Sequence, residues 1–228
     1  MEAWWDRESL VKFESPTSIF IAAPSGSGKT VFTKNLLIYA DGVFKIAPSK
    51  IFYCYSIWQN IYNEMKNEIK AISFHQGLPT MDILNEWGTE QGHKILVLDD
   101  LMLQGVESDE LMHLMCVGSH HTQLTVIFLI QNLFQKGKSM RTASLNCHYF
   151  IIFRNNRDML QVQTLGKQIF PGKTKFFMDS YQKATSKPYG YLLVDIHPHT
   201  DKSYQLRSNI LPGQDTIVYQ PENEKRGT

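Results

Sequence analysis

Short, continuous apolar runs alternate along the chain with segments whose apolar residues recur at helical spacing. The runs are apolar throughout rather than at every second position, which is typical of parallel strands buried on both faces. Strands are predicted at Ser18–Ala23, Ile51–Ser56, Lys94–Leu101, Leu124–Asn132 and His148–Arg154. Helices are predicted at Val31–Tyr39, Ile57–Ile69, Met81–Trp87 and Asp109–Val117. The pattern predicts an α/β fold with a mainly parallel sheet covered by helices on both faces.

The pattern changes after Arg154. A helix is predicted near Thr174–Gln182, followed by strands at Tyr189–Ile196 and Tyr204–Ile210. Because only the turn at His197–Asp201 separates these strands, we expect an antiparallel hairpin at a sheet edge. Without a dividing linker, residues 1–217 are expected to form one domain, with a polar, flexible tail at 218–228.

Composition adds limits on the class of protein. The 228 residues are 43% hydrophobic, enough for one sizeable core. Lys and Arg number 23 against 22 Asp and Glu, so net charge argues neither for nor against a nucleic-acid partner. The three cysteines form no CxxC pair, which excludes a zinc ribbon and fits a reducing compartment. No apolar stretch approaches the roughly 20 residues of a membrane span, so we expect an intracellular, unsecreted protein without a membrane partner.

A Gly/Ser loop, APSGSGKT at 23–30, follows the first predicted strand and opens a helix. This context is typical of a phosphate-binding loop, whose backbone N–H groups and helix dipole hold a β-phosphate. Lys29 is expected to bridge the β- and γ-phosphates and to face solvent when the loop is empty, and the Thr30 hydroxyl to bind Mg²⁺. The predicted nucleotide-binding residues are Pro24, Ser25, Gly26, Ser27, Gly28, Lys29 and Thr30.

Polar residues follow two buried strands, at the sheet edge where α/β proteins bind ligands. Asp99 is expected to hold Mg²⁺ through water, and Asp100 to poise an attacking water, which favours hydrolysis over phosphate transfer to a small molecule. Asp100 could instead cap the next segment or accept a turn hydrogen bond. Gln131 is expected beside the γ-phosphate, although an amide at a strand end also has purely structural uses.

Three arginines near strand ends are candidates for neutralising transition-state charge from a neighbouring subunit: Arg141, Arg154 and Arg157. Each of them, taken alone, also fits a solvated or salt-bridging side chain. His197 and His199 have too few partners in the sequence for a metal site.

With these residues identified, the chain resembles the FtsK/HerA superfamily of P-loop motors. It is most similar to the small genome-packaging ATPases of Polinton-like viruses and adintoviruses, relatives of the poxvirus packaging ATPase. The resemblance covers about Ser18 to Ile210 and rests on the ordered motifs APSGSGKT, FYCYS, FHQGLP, ILVLDDL, GSHHTQLTVIFLIQNLF, MRTASLNCHYFIIFRNNRD and YGYLLVDIHP.

The resemblance implies a P-loop NTPase fold of the RecA-like, additional-strand type, with ATP and Mg²⁺ as cofactors. It implies a homo-oligomeric ring that pushes double-stranded DNA into a preformed capsid, with a portal or vertex protein as partner. The expected location is the infected cell, at a nuclear or cytoplasmic assembly site and transiently at the capsid vertex. By the same resemblance, Lys29 and Thr30 form the Walker A pair, Asp99 and Asp100 the Walker B pair, and Gln131 the sensor.

One departure concerns the arginine that many superfamily members carry just before the sensor strand, where this chain has Gly118–His121. Arg141 is therefore the first choice for the trans-acting arginine and Arg157 the second. Two other functions stay open: a nucleotide kinase or other P-loop phosphotransferase, and a non-motor ATP-binding replication factor.

Overall fold

The computed structural model describes residues 11–101, 123–134 and 143–221, so the predicted helix at Asp109–Val117 and Arg141 lie outside the described residues. The strands are β1 (Ser18–Ala22), β2 (Lys50–Tyr55), β3 (Ile72–Gln76), β4 (Lys94–Asp99), β5 (Leu124–Ile130), β6 (Tyr149–Phe153), β7 (Tyr191–Asp195), β8 (Leu206–Ser208) and β9 (Ile217–Val218). The helices are α1 (Lys29–Ile38), α2 (Ala40–Val43), α3 (Asn60–Glu68), α4 (Met81–Thr89), α5 (Met159–Ile169) and α6 (Thr174–Ala184).

The described strands form one sheet in the order β3-β2-β4-β5-β1-β6-β7-β8-β9. All pairs from β3 to β6 are parallel, and those from β6 to β9 are antiparallel. β5 lies between β1, which leads into the Gly/Ser loop, and β4, which ends in the aspartates. This is the additional-strand arrangement, and the predicted fold class is confirmed.

The sheet is buried on both faces. Phe20 and Ala22 of β1 point into a hydrophobic cluster that includes residues of α4, α5 and α6. Ile19 and Ile21 of the same strand point into a second cluster with residues of α1, α2 and α3. Both sets of side chains must be largely apolar, and this explains why the central strands are almost continuously apolar.

β3 is a strand that the hydrophobic pattern did not reveal. It lies at the sheet edge, pairs only with β2 among the described strands, and alternates apolar Ile72 and Phe74 with polar Ser73 and His75. A half-exposed edge strand of this kind lacks the continuous apolar run of its buried neighbours. The preceding helix, α3, is also shorter than predicted: it begins at Asn60 rather than at Ile57.

The predicted C-terminal hairpin is confirmed by the antiparallel pairing of β7 with β8. β9 extends it, since Val218 pairs with Arg207 and the Tyr219 N–H donates to the Leu206 carbonyl over 2.9 Å. The sheet therefore includes Val218, the first residue of the predicted tail. A buried ion pair joins the hairpin strands, with 2.7 Å between Arg207 and Asp195.

Candidate nucleotide-binding site

The Gly/Ser loop forms a tight turn between β1 and the first residue of α1. Gly26 and Gly28 have φ angles of 76° and 89°, a left-handed conformation that glycine adopts without steric penalty. The Ser27 N–H donates to the Pro24 carbonyl over 3.2 Å. The N-cap of α1 is Gly28, and among the described residues no side-chain cap is made there, which leaves the first backbone N–H groups of the helix available to an anion. This local geometry is that of a phosphate-binding loop.

Lys29 does not face solvent, and that expectation is wrong. The residue is only 8% exposed and is one of the buried residues of α1, although its side chain ends in a charge. Its ammonium lies 3.4 Å from Oδ1 of Asp100. The Lys29 cation is therefore paired with a carboxylate of the same site.

Asp100 and Gln131 meet at the ends of β4 and β5. The Gln131 amide donates from Nε2 to both carboxylate oxygens of Asp100, over 3.2 Å to Oδ1 and 3.0 Å to Oδ2. Asp100 has a φ of 56°, a left-handed conformation uncommon outside glycine but tolerated by aspartate. The structure thus brings together Lys29, Asp100 and Gln131, three residues that the sequence analysis assigned to catalysis or phosphate binding.

Asp99 is buried, and two tyrosines hold one of its carboxylate oxygens. Oδ2 accepts hydrogen bonds from the hydroxyls of Tyr53 on β2, at 2.6 Å, and Tyr62 on α3, at 2.9 Å. Burial raises the pKa of Asp99, and the two hydroxyls and the Lys29 charge partly offset that rise. Burial and the Asp99 charge raise the pKa of both tyrosines, which keeps their hydroxyls protonated as donors.

Sequence reasoning missed these two tyrosines. The only available signal was the alternation in FYCYS, which puts Tyr53 and Tyr55 on one face of β2. The contact itself depends on register, because Tyr55 pairs with Asp99 across β2 and β4 and Tyr53 lies two residues further back. The sequence pattern fixed neither that register nor the packing of α3 that brings in Tyr62.

A cleft of about 620 Å³ opens between the phosphate loop and the ends of β5 and β6. Arg154 and Arg157 both line it, so the structure places these arginines beside the loop of their own chain. Nε of Arg154 donates to Oδ1 of Asn156 over 3.0 Å. The cleft is lined by Pro24, Ser25, Ser27, Gln131, Asn132 and residues 154–158.

His197 and His199 gain a third polar neighbour in the structure, Glu14, with one candidate ligand atom from each residue within 4.8 Å of the others. The Glu14 carboxylate is already paired with Lys45 at 2.5 Å. Nδ1 of His197 accepts the His199 backbone N–H over 3.3 Å, whereas a metal-bound histidine normally donates from its second nitrogen. This hydrogen-bonding pattern does not favour a metal site.

None of the described helices is long and apolar enough to cross a membrane.

Among solved structures, the chain is similar to B204, the DNA-packaging ATPase from Sulfolobus turreted icosahedral virus. The two are 13% identical, the match covers 90% of this chain and 98% of that one, and the TM-score is 0.55.

The chain is also similar to the genome-packaging NTPase B204 from Sulfolobus turreted icosahedral virus 2, solved in complex with ATP-gammaS. That match has 12% identity, covers 90% of this chain and 97% of that one, and has a TM-score of 0.54. At these identities the likeness establishes a shared fold.

None of the curated proteins matches the chain significantly. The family model described as poxvirus A32 protein matches residues 2–175, which is more than half of the chain. With the phosphate loop, the aspartate pair and the additional strand all in place, the chain belongs to the poxvirus A32 protein family.

Proposed function

We propose that the protein is an ATP-driven motor that moves double-stranded viral DNA into a preformed capsid. The observation that carries this proposal is the convergence of Lys29, Asp100 and Gln131 at the phosphate loop of a chain that belongs to the A32 family. The similar fold of B204, described as a DNA-packaging ATPase, supports it.

The positions of the loop and the acidic pair support the following roles in this proposal. The backbone of residues 24–28 and the Lys29 ammonium bind the phosphates, and the ammonium exchanges Asp100 for the γ-phosphate when nucleotide enters. Asp100 is then free to accept a proton from the attacking water, and Gln131, which already contacts Asp100, orients that water. These steps give hydrolysis rather than transfer to a second substrate.

The residues present fit a magnesium ion. Oδ1 of Asp99 accepts no hydrogen bond from any described residue, so an oxygen ligand remains available next to the loop. Thr30 and Asp99 would hold the ion, which supplies charge neutralisation for the β- and γ-phosphates. Tyr53 and Tyr62 fix the orientation of the Asp99 carboxylate.

The further partners in this proposal are a ring of identical subunits, double-stranded DNA and a portal or vertex protein of the capsid. The protein acts in the infected cell at the site of capsid assembly.

Arg141 or Arg157 supplies the positive charge for the transition state. Arg157 lines the cleft of its own chain, which supports a role within the subunit, and Arg141 is left as the candidate that acts on a neighbour.

The test is steady-state ATP hydrolysis with and without linear double-stranded DNA, with phosphate release and nucleotide products both followed. We expect hydrolysis to inorganic phosphate, stimulated by DNA and lost in Lys29→Met, which keeps the buried aliphatic part of the side chain. Transfer of the γ-phosphate to an added nucleoside monophosphate would instead identify a kinase, and turnover indifferent to DNA would contradict a motor.

A further inference from the structure

Tyr189 lies beside the phosphate loop in an unusual backbone conformation. It is 72% exposed and has a φ of 60°, in a turn closed by the Gly190 N–H donating to the Lys187 carbonyl over 3.1 Å. The third position of such a turn normally holds glycine or asparagine when φ is positive. A large, exposed aromatic residue held in this conformation is the kind of local strain that clusters at binding sites.

The Tyr189 ring packs directly on the loop. A Cβ added to Gly28 would lie 2.8 Å from Cδ1 of Tyr189, so only the missing side chain of Gly28 lets the ring approach this closely. Below this contact, the rings of Phe32 and Tyr191 lie 4.7 Å apart. Phe32 lies one turn along the helix from the N-cap residue Gly28, and Tyr191, the first residue of β7, comes two residues after Tyr189. The contact between Tyr189 and Gly28 therefore lies next to an aromatic contact between α1 and β7.

The sheet order gives the direction of a bound nucleotide. Asp100 and Gln131, at the ends of β4 and β5, mark the γ-phosphate side of β1. β6 and β7 lie on the opposite side of β1. Because β7 is antiparallel to β6, its first residue, Tyr191, pairs with Phe153 at the carboxyl end of β6. A triphosphate whose γ-phosphate points to Asp100 thus extends its ribose and base towards Tyr189.

We propose that Tyr189 is the platform on which the base of the bound nucleotide stacks, an inference that rests on the proposed function. Among the described residues, the ring has no aromatic partner and its hydroxyl makes no hydrogen bond, so a ring face is available. Stacking depends on the flat surface of a base rather than on its polar groups, so the platform accepts either purine nucleoside triphosphate.

The experiment compares binding of Mg·ATP and of Mg·tripolyphosphate, which has no base, by isothermal titration calorimetry. Tyr189→Ala removes the ring, and Tyr189→Phe keeps it. Tyr39→Ala, which removes a 45% exposed tyrosine at the other end of α1, is the matched control. We expect Tyr189→Ala to weaken ATP binding about 5- to 140-fold, the range for losing one aromatic stacking contact. Tyr189→Phe and Tyr39→Ala are expected to bind ATP within about twofold of the unchanged protein, and none of these three tyrosine variants is expected to alter tripolyphosphate binding.

Three outcomes would overturn the proposal. If Tyr189→Ala binds ATP as well as the unchanged protein, the ring is no platform, and if it binds ATP more tightly, the ring blocks the site. If it loses tripolyphosphate as strongly as ATP, the substitution disturbs the loop. Lys29→Met tests the proposed function separately. If that variant binds both Mg·ATP and Mg·tripolyphosphate normally, the loop is not the phosphate-binding site, whatever the result for Tyr189.

Discussion

The Asp100 carboxylate is the centre of a small polar network, with the Lys29 ammonium on one side and the Gln131 amide on the other. A residue that merely capped the next segment would not need both of these partners. The network supports the catalytic interpretation of Asp100, and substitution separates the two interpretations.

Asp100→Asn is expected to bind Mg·ATP close to normally and to hydrolyse it about 10²–10⁴-fold more slowly, because the amide cannot accept a proton from water. Single-turnover hydrolysis and nucleotide titration on the same preparation measure the two properties. Normal hydrolysis by Asp100→Asn would show that the base lies elsewhere.

Asp99→Asn is expected to remove activity while making the folded protein more stable. Burial raises the pKa of Asp99, so folding opposes its charged form, whereas a neutral amide oxygen can still accept the hydrogen bonds of Tyr53 and Tyr62. A rise of about 2–4 °C in the midpoint of thermal unfolding corresponds to roughly 1 kcal/mol in a domain of this size.

The pH dependence of this stability difference follows from linkage. A group whose pKa is raised on folding adds stability below its unfolded value, and that gain is lost as the pH rises through its folded value. The advantage of Asp99→Asn over the unchanged protein should therefore be full above the folded pKa of Asp99 and shrink as the pH falls through that pKa towards 3.8, the ordinary value. An advantage independent of pH in this range would mean that the charge of Asp99 is not the cause.

At the scale of elements, the hydrophobic pattern predicted the central strands well, because burial on both faces leaves β1, β4 and β5 with almost uninterrupted apolar sequences. It failed for β3 and β9. One is an edge strand with polar alternate positions, and the other has only two residues, so neither carries a distinctive period.

The C-terminal hairpin depends on a buried ion pair. Asp195 and Arg207 are 2% and 0% exposed in their side chains, and burial raises the pKa of Asp195 despite the arginine beside it. Asp195 also accepts a hydrogen bond from the Thr200 hydroxyl, at 2.8 Å.

Arg207→Met is expected to lower the free energy of unfolding by about 3–5 kcal/mol, because it leaves the Asp195 carboxylate buried without a compensating charge. Adding Asp195→Asn should restore part of that loss, since the amide carries no charge and can still accept from Thr200. Chemical denaturation of the single and double variants measures the difference. A double variant less stable than Arg207→Met would contradict this account of the pair.

At the scale of the whole molecule, the sequence predicted which residues meet at the phosphate loop but not all of their supporting contacts. Asp100 and Gln131 follow from one rule, that ligands bind where parallel strands end, and Lys29 follows from the phosphate-loop motif. Tyr53, Tyr62 and Tyr189 depend on strand register and on how α1 and α3 pack against the sheet. The burial of Lys29 likewise depends on how α1 packs and could not be predicted from the motif.

The two candidate arginines are expected to behave differently in mixed rings. Lys29→Met subunits mixed with Arg141→Ala subunits should regain some ATP hydrolysis, because about a quarter of the interfaces in a head-to-tail ring then combine an intact loop with an intact Arg141. The same mixture made with Arg157→Ala should regain none, because Arg157 lines the cleft of its own chain. If ATP hydrolysis recovers only in the mixture made with Arg157→Ala, the roles of Arg141 and Arg157 are the reverse of those proposed.

The central claim is that ATP hydrolysis at this site drives movement along double-stranded DNA. Displacement of a labelled third strand from a DNA triplex by the advancing protein measures that movement directly. We expect displacement by the unchanged protein with Mg·ATP, and none with a non-hydrolysable analogue, with Lys29→Met or with Asp100→Asn. ATP hydrolysis at full rate on the same DNA without displacement of the third strand would contradict the claim.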